Sequence, residues 1–460
     1  MKLNPSKCAV IAIRHDRRTK NWHVPSNLEV NLEGGRVPVL GPKDVYKYLG
    51  VKVGAQGFDV AGHCAEFEAR LDRLDKSKLD AKQKLWGLTT VLIPSVYHSL
   101  ILTNTAVGGL GKLEKLDVKI RRAVRRWHHL PHDVPKAMIH ANVGDGGLGV
   151  PSLVVRIPRL TQERYQKLLT SDDEVVRFLA GMGLRHQRQQ ALIRPRHLGD
   201  VLVVSCKSER AAWRALLGKT VDGVDCLERE PDTCPVDAWI QDLTVQVKGG
   251  EYVKAMAVRS KSLRTPARAA RGGRGDPKCK ECGQVADLAH ISQDCSLTHG
   301  RRVARHDAVV DTLARVLTNR RFSVTREPRI GQAGRGPQGS GFLKPDLVCT
   351  KGKKAYVLDP IVTRQRRMRD REQEKVTKYS GETVRNFAMR DGIDSMEVRG
   401  IAVSYRGYML PETIKFLKGL GIPRRALAYL MIRVLNETWY LWKAYTDGTA
   451  GRTAPVRRRR

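Results

Sequence analysis

The stretch LKPDLVCTKGKKAYVLDPIV, Leu343–Val362, contains two apolar runs on either side of a short polar turn. Residues such as Val, Ile, Leu and Tyr favour strands, and the Gly-Lys pair between the runs suits a two-residue hairpin turn. If Lys351 pairs with Lys354 across this turn, the register of the whole hairpin is set. Asp346 then lies directly opposite Asp359. The stretch therefore predicts a hairpin with two carboxylates at its open end.

Two carboxylates in this position need something between them. Side chains that are directly opposite in a hairpin have Cβ atoms about 4.5–5.5 Å apart, so Asp346 and Asp359 would repel unless a proton or a cation lay between them. A hard divalent cation prefers such oxygen ligands, and it would activate water and stabilise charge on a phosphate. The residues alone also allow a surface hairpin with two solvated aspartates.

A nuclease of this kind also benefits from a lysine near the attacking water. Ile361 occupies the usual position, two residues past the second acid. The next candidates lie in REQEKVTKYSGETV, which is typical of a helix. Lys375 and Tyr379 are four residues apart and share a face, with Lys378 beside that face. A hairpin that feeds this helix could direct Lys375 back at the two acids.

A second metal site is indicated upstream, in CKECGQVADLAHISQDC. Cys279, Cys282, His290 and Cys295 follow the spacing C-x2-C-x7-H-x4-C, and Gly283 suits a tight turn after the first pair. Three sulfurs and one imidazole nitrogen form a tetrahedral set that selects zinc. Because all four ligands come from the protein, the predicted site is closed and structural. The alternative is four unrelated residues.

Charge points to a nucleic-acid partner. The 460 residues include 83 Lys and Arg against 47 Asp and Glu, a formal net charge of +36. Such an excess suits a polyanion or an anionic membrane. We find no apolar run close to the roughly 20 residues of a membrane span, and the N-terminus lacks the apolar core of a secretory signal. Nine cysteines without a disulfide framework are consistent with an intracellular protein.

One predicted helix carries a basic face. In LGKLEKLDVKIRRAVRRWHHL the apolar residues recur at helical spacing, and the opposite face carries Arg121, Arg122, Arg125 and Arg126. We expect these four arginines to contact a nucleic-acid backbone, with a merely solvated face as the alternative. A later stretch, residues 259–277, is rich in Arg, Gly and Pro and poor in apolar residues. This composition predicts a flexible basic linker.

The motifs together resemble one family. LTHGRRVARHD after a CCHC knuckle, then KPD, then a second aspartate and EKVTKY, are similar to the C-terminal part of R-two-type, non-LTR (LINE-like) retrotransposon proteins with a restriction-like endonuclease. The resemblance implies a PD-(D/E)xK-like nuclease fold whose lysine has moved to a helix. It implies that Asp346 and Asp359 bind Mg²⁺ or Mn²⁺, that Lys375 is catalytic, and that Tyr379 and Lys378 support it.

Two further residues take roles from the same resemblance. His306, in ARHD, lies in a motif of the family and is implied to contact DNA or the active site. Glu327, in TREPRI, is a candidate third acid, with a surface glutamate as the alternative. The resemblance also implies double-stranded target DNA and element RNA as partners, and a nuclear location.

The resemblance extends upstream. KLNPSKC and YKYLGV look like the end of a reverse-transcriptase palm, and the helical runs that follow look like its thumb and linker. An F/Y-x-D-D motif, which holds the polymerase metals, does not occur, so no polymerase activity is expected from this chain. The expected function is target-DNA nicking for target-primed reverse transcription. The alternative is a non-catalytic DNA- or RNA-binding fragment.

The expected architecture is therefore α+β and multidomain. The predicted ranges are a palm remnant (1–60), a helical thumb (61–130), a helical linker region (131–258), a flexible basic linker (259–277), a zinc knuckle (278–300), an α/β nuclease (301–446) and a disordered basic tail (447–460).

Overall fold

Strands and helices are mixed along the chain, as predicted. The computed structural model describes residues 7–25, 28–32, 35–48, 50–55, 57–102, 109–184, 196–228, 234–273, 275–331, 342–390 and 392–450. Most of the predicted basic tail lies outside these residues.

Most strands are short, and the long ones lie late in the chain. They are β1 (Arg14–His15), β2 (Trp22–His23), β3 (Val30–Leu32), β4 (Gly35–Val37), β5 (Val45–Tyr48), β6 (Val51–Gly54), β7 (Gly57–Phe58), β8 (Arg196–Leu198), β9 (Val201–Val203), β10 (Ser323–Arg326), β11 (Leu347–Lys351), β12 (Lys354–Thr363) and β13 (Ser395–Ser404).

Helices fill most of the remaining described chain. The α-helices are α1 (Val60–Lys76), α2 (Ala81–Trp86), α3 (Ile93–Ser95), α4 (Tyr97–Leu102), α5 (Leu110–Trp127), α6 (Lys136–His140), α7 (Leu153–Leu169), α8 (Glu174–Leu184), α9 (Cys206–Gly218), α10 (Cys234–Asp237), α11 (Gly249–Arg259), α12 (Pro266–Ala269), α13 (His299–Asn319), α14 (Met368–Tyr379), α15 (Glu382–Ala388), α16 (Pro411–Gly419) and α17 (Arg424–Thr446). Single turns of π-helix cover Gly87–Leu92 and His290–Asp294, and 3-10 turns cover Val143–Asp145, Val224–Glu228, Ala270–Gly272, Ser296–Thr298 and Gln365–Arg367.

The elements group into two units that interleave along the sequence. The first unit comprises Met1–Leu79, Gly87–Ala123 and Val150–Trp213, and the second comprises Asp80–Trp86, Val124–Gly149 and Arg214–Arg460. The consecutive domain ranges given above remain a prediction. Both candidate metal sites lie within the second unit.

Helix packing in the first unit is fixed by a buried carboxylate. Asp117, on α5, accepts hydrogen bonds from the Ser152 hydroxyl at 2.6 Å and from the Leu153 and Val154 amides at 2.8 and 3.2 Å. These amides begin α7, and the first amides of a helix have no partner within the helix. The carboxylate also opposes the positive end of the helix dipole. Asp117 therefore joins α5 to the start of α7.

A four-stranded sheet organises the later part of the second unit. Its strand order is β10-β11-β12-β13, antiparallel except for the parallel pair of β12 and β13. The predicted hairpin is confirmed, because Lys351 pairs with Lys354 and Leu347 pairs with Leu358. The long strand β13 forms one edge of this sheet, and the long helix α17 follows it in the chain.

The hairpin register also explains a proline in a central strand. In a two-residue hairpin the closing pair exchanges hydrogen bonds, so every second residue of β12 directs its amide at β11. Pro360 stands at one of these positions, but Leu358 is the last residue of β12 that pairs with β11. A missing N–H therefore costs no ladder bond at this position. The same alternation makes Asp346 and Asp359 a non-hydrogen-bonded pair, in which the side chains lie closer together.

The prediction of a flexible linker at residues 259–277 is wrong. This stretch contains the end of α11, all of α12 and a 3-10 turn, and Arg259 and Arg268 are buried. Arg259 pairs with the buried Asp237 at 2.8 Å, and Arg268 pairs with the buried Asp222 at 2.9 Å. Composition failed here because arginines that meet buried carboxylates can fill an interior position without apolar side chains.

Replacing Asp222 with Asn is expected to destabilise the protein by about 3 kcal/mol, because the buried Arg268 would lose its charged partner. Burial works against ionisation of Asp222, but hydrogen bonds and charge from Arg271 and Arg268 outweigh it and lower its pKa. The stabilisation is therefore present above the unfolded pKa of about 3.9 and is lost as the pH falls through the lower folded value. Urea unfolding at neutral pH measures the effect. Asp72→Asn, at an exposed carboxylate on α1, is the control, and equal midpoints for the two variants would contradict the prediction.

No apolar run close to the length of a membrane span was evident in the sequence, but one described helical stretch reaches that length. By length and composition alone, Ala81–Leu102 could cross a bilayer. The core helix of a soluble protein meets the same criterion, so this is weak support for a span. Within the stretch, Lys82 donates to the Asp242 and Val245 carbonyls, at 2.7 and 2.5 Å.

Candidate metal and nuclease centre

The hairpin brings its two carboxylates to one end of the sheet. Asp346 precedes β11 and Asp359 lies within β12, on the sheet face that also carries Val348 and Val357. The side chain of Asp359 is 3% exposed and that of Asp346 is 15% exposed. Burial, followed by the charge of Asp346, raises the pKa of Asp359. The pair is therefore an electrostatically costly arrangement that a cation would relieve.

Lys375 reaches the acids from α14, as predicted. Its Nζ lies 2.7 Å from Asp359 Oδ1. Hydrogen bonds from Lys375 and Tyr379 oppose the effects of burial and of the Asp346 charge, which raise the pKa of Asp359. Lys375 therefore partly compensates the buried negative charge of Asp359.

His306 joins the cluster from α13. Its Nε2 lies 3.1 Å from Asp346 Oδ1, within hydrogen-bond reach. That hydrogen bond raises the pKa of His306, against the opposing effect of partial burial. The histidine thus orients one oxygen of Asp346 and leaves the other, Oδ2, buried and without a hydrogen-bond partner.

The supporting residues divide into buried and exposed ones. Tyr379 is buried, its hydroxyl donates to the Lys344 carbonyl at 3.0 Å, and burial raises its pKa. Lys378 is exposed and its Nζ lies 5.0 Å from the centre of the Tyr379 ring. Glu327 forms an ion pair with Lys344 at the surface. The structure therefore favours the alternative that Glu327 is a surface glutamate over the prediction that it is a third metal-binding acid.

The donor set fits a hard divalent cation. Asp346 Oδ2 is a buried oxygen without a hydrogen-bond partner, and buried acceptors of this kind normally have partners. Carboxylate oxygens on neighbouring strands are ligands that Mg²⁺ or Mn²⁺ accepts, with the remaining positions filled by water or substrate. Asp346 and Asp359 are the residues that would hold the ion.

The four residues of the knuckle also converge. The donor atoms of Cys279, Cys282, His290 and Cys295 all lie within 4.8 Å of one another, so the cluster could hold a metal ion such as zinc. The Cys279 and Cys295 sulfurs are 3.8 Å apart, and the Cys282 sulfur is 3.3 Å from His290 Nε2. Gly283 closes the first turn with φ +68°, in the left-handed region that glycine tolerates.

Residues of α13 and α17 contact the knuckle. The fully buried Arg305, on α13, donates to the Ser292 carbonyl at 2.9 Å and to the Thr438 hydroxyl of α17 at 3.0 Å. The Tyr445 hydroxyl, at the end of α17, lies 3.3 Å from the Cys279 sulfur. Arg305 precedes His306 in sequence, so one helix contacts both the knuckle and the carboxylate site.

Replacing Cys282 with Ser is expected to remove the bound metal and lower the melting temperature by several degrees, because a hydroxyl is a poor substitute for a thiolate ligand. Metal analysis after dialysis and a thermal melt measure the two effects. Cys206→Ser, at an exposed cysteine outside the knuckle, is the matched control. Wild-type metal content in Cys282→Ser would show that these residues are not a metal site.

Only two of the four arginines predicted on the basic face of α5 are exposed. Arg122 and Arg126 are exposed, whereas Arg121 is buried and pairs with Glu114 at 2.7 Å. Arg125 is half-buried and donates to the Val134 carbonyl at 2.9 Å. The prediction that all four arginines face outward is therefore wrong for Arg121 and Arg125. The helical period alone could not show which neighbours cover part of that face.

Sequence reasoning missed two residues that support the site. Gly400, on β13, lies opposite Asp359 in the ladder, and a glycine inside a strand-like run is a known signal of close backbone approach. Glu372, on α14, has a half-buried carboxylate that accepts two hydrogen bonds. A glutamate in a charged helix gives no such signal.

The comparisons with known proteins find similarity to Pol polyproteins of retrotransposable elements. It is 32% identical to the type-2 element R2DM polyprotein of Drosophila melanogaster, over 92% of this chain and 39% of that protein. It is 29% identical to the type-1 element R2 polyprotein of Nasonia vitripennis, over 98% and 42%, and 28% identical to that of Bradysia coprophila, over 98% and 51%. No family model matches the chain.

These relatives are R2 non-LTR retrotransposon Pol polyproteins, and the chain is homologous to them over most of its length. The resemblance drawn from the motifs is confirmed at this level. The chain spans between 39% and 51% of the length of the three relatives.

Proposed function

We propose that the chain carries a divalent-metal-dependent DNA endonuclease of an R2-type retrotransposon. The convergence of Asp346, Asp359 and Lys375 at one end of the sheet is the observation that carries the proposal. Two neighbouring carboxylates, one with a buried oxygen that lacks a partner, and an ammonium 2.7 Å from the other suit phosphodiester hydrolysis. In the retrotransposon, the nick in target DNA would provide the primer for reverse transcription of the element RNA.

Each residue has a defined part in this proposal. Asp346 and Asp359 would hold Mg²⁺ or Mn²⁺, which lowers the pKa of a bound water and stabilises negative charge on the phosphate. Lys375 would direct its positive charge at the scissile phosphate and the attacking water. His306 keeps Asp346 in one orientation through the 3.1 Å contact, and Tyr379 anchors the end of α14 at the Lys344 carbonyl.

The knuckle would hold zinc and act as a structural clamp beside the nuclease. Arg305 ties its π-turn to α13 and α17, and Arg364, just after β12, pairs with Asp294 in that turn. Loss of zinc would therefore loosen the helix that carries His306. The net charge of +36 supports a nucleic-acid partner, and cleavage of genomic DNA would require a nuclear location.

Nicking of supercoiled plasmid by the purified, zinc-loaded chain tests the proposal. Relaxed circles should accumulate with added Mg²⁺ or Mn²⁺ and should not form when these ions are omitted from the reaction. Plasmid binding without nicking under every metal condition would favour the alternative, a nucleic-acid-binding chain without catalysis.

A further inference from the structure

Glu372 occupies an unusual position for a helix glutamate. It lies on α14, three residues before Lys375, and its Oε1 accepts hydrogen bonds from the Ala402 amide at 2.9 Å and from the Thr413 hydroxyl at 2.6 Å. Ala402 belongs to β13, the edge strand of the sheet, and Thr413 belongs to α16. One oxygen therefore joins three elements around the lysine helix.

The edge strand needs such a partner. An outward amide of an edge strand has no neighbouring strand to accept its hydrogen bond. The carboxylate of Glu372 satisfies the outward amide of Ala402 in the interior, where an unsatisfied donor is costly. Because the bond joins a helix side chain to a backbone amide of the sheet, it fixes both the rotation of α14 and its position along β13.

Close packing at Gly400 restricts α14 in the same place. A Cβ built on Gly400 would lie 2.6 Å from the Cα of Glu372 and 2.7 Å from its carbonyl oxygen. The helix backbone thus rests directly on the strand backbone, at the residue that pairs with Asp359. Helix height above the sheet is set by this contact, and helix rotation is set by the Glu372 hydrogen bonds.

We propose that Glu372 is a positioning residue for Lys375. Its two hydrogen bonds hold α14 so that the lysine, almost one helical turn further on, meets Asp359. This inference rests on the proposed nuclease function, because it assigns Glu372 a part in the same site. Glu372 itself does not touch the carboxylate pair or the substrate.

A carboxylate at the partly buried position of Glu372 is costly in free energy. Burial, followed by the neighbouring charge of Glu412, raises the pKa of Glu372, and its two hydrogen bonds only partly offset this. An apolar residue would fill the space without that cost but would leave Ala402 N–H unsatisfied and α14 free to rotate. A glutamine offers the same carbonyl oxygen to both donors and should preserve the geometry.

Nicking kinetics of three variants test the inference. Glu372→Ala should lower the single-turnover rate constant by about 10- to 100-fold, since displacement of a catalytic group by about 1 Å costs roughly that factor. The DNA concentration giving half-maximal rate should stay within about twofold. Glu372→Gln should retain most of the rate. Glu374→Gln is the matched control, because Glu374 lies two residues away on the exposed side of the same helix.

A second variant and a second readout separate positioning from loss of folding. Gly400→Ala should lower the rate constant in the same way, with DNA binding unchanged, because its methyl group pushes α14 off the strand. Hydrogen exchange of the β13 amides should accelerate in Glu372→Ala and stay slow in Glu374→Gln. The rate should be measured well below the melting temperature of each variant.

The outcomes distinguish this inference from the nuclease proposal. If the wild-type chain does not nick, the nuclease proposal fails, while the hydrogen-exchange comparison still tests the anchoring of α14. If the wild-type chain nicks and Glu372→Ala nicks at the same rate constant, the positioning role is rejected. A rate loss that is equal in Glu372→Ala and Glu372→Gln would also reject it, because the shared acceptor oxygen would then not be the cause.

Discussion

Replacing Asp359 with alanine is expected to lower the nicking rate constant by about a thousandfold. A metal ligand of this kind supplies about 4 kcal/mol of transition-state stabilisation, and each 1.36 kcal/mol corresponds to a factor of ten. Stability should not fall in parallel, since burial and the charge of Asp346 raise the pKa of Asp359 and its removal relieves that repulsion. The free energy of unfolding should therefore change by less than about 1 kcal/mol, which urea denaturation measures.

Asp394→Ala is the matched control for this variant. Asp394 lies just before β13, where its exposed carboxylate pairs with Lys353 at 3.2 Å. This control should nick at the wild-type rate. Full activity in Asp359→Ala would remove the hairpin from the active site, and a large loss of stability would mean that the aspartate has a structural role instead.

Replacing Lys375 with alanine is the second large effect, expected to lower the rate constant by about 100-fold or more. The ammonium lies 2.7 Å from Asp359 Oδ1 and brings a positive charge to the carboxylate pair. DNA affinity should change by less than about threefold, because a single side chain contributes little to a contact made by many phosphate interactions. Single-turnover nicking and filter binding measure the two quantities.

Two other lysine variants serve as comparisons for Lys375→Ala. Lys353→Ala removes an exposed lysine from the hairpin turn and should nick normally. Lys378→Ala removes the ammonium that covers the Tyr379 ring and should lower the rate only a few-fold. An equal loss in Lys375→Ala and Lys378→Ala would indicate that general positive charge, and not the contact with Asp359, matters.

The hairpin and the knuckle could be predicted from the sequence because both depend on local spacing. Once Lys351 and Lys354 are paired, strand geometry forces Asp346 to face Asp359, and the structure has this register. Cys279 and Cys282 are close enough in sequence to meet in one turn, and they do. Lys375 was one of the candidates on the next helix, and the family resemblance singled it out; its contact with Asp359 depends on how α14 packs against the hairpin.

Contacts between distant residues could not be predicted in this way. Arg268 meets Asp222, which lies 46 residues earlier, so the stretch around Arg268 has the composition of a linker and the burial of a core. Arg121 is covered although helical spacing placed it on the basic face. Glu372 acquires its role only when α14, β13 and α16 come together. Hydrophobic patterns and secondary-structure propensities do not show which distant residues will pair.

Mn²⁺ binding to the zinc-loaded chain, measured by electron paramagnetic resonance of the free ion, tests the central claim most directly. It addresses the Asp346 and Asp359 pair without relying on turnover or on the choice of DNA target. We predict that the wild-type chain binds a Mn²⁺ ion and that Asp346→Ala binds it at least about tenfold more weakly, because one of the two protein ligands is lost. Equal Mn²⁺ affinity in the two proteins would contradict the account, since the paired carboxylates would then not be the metal site.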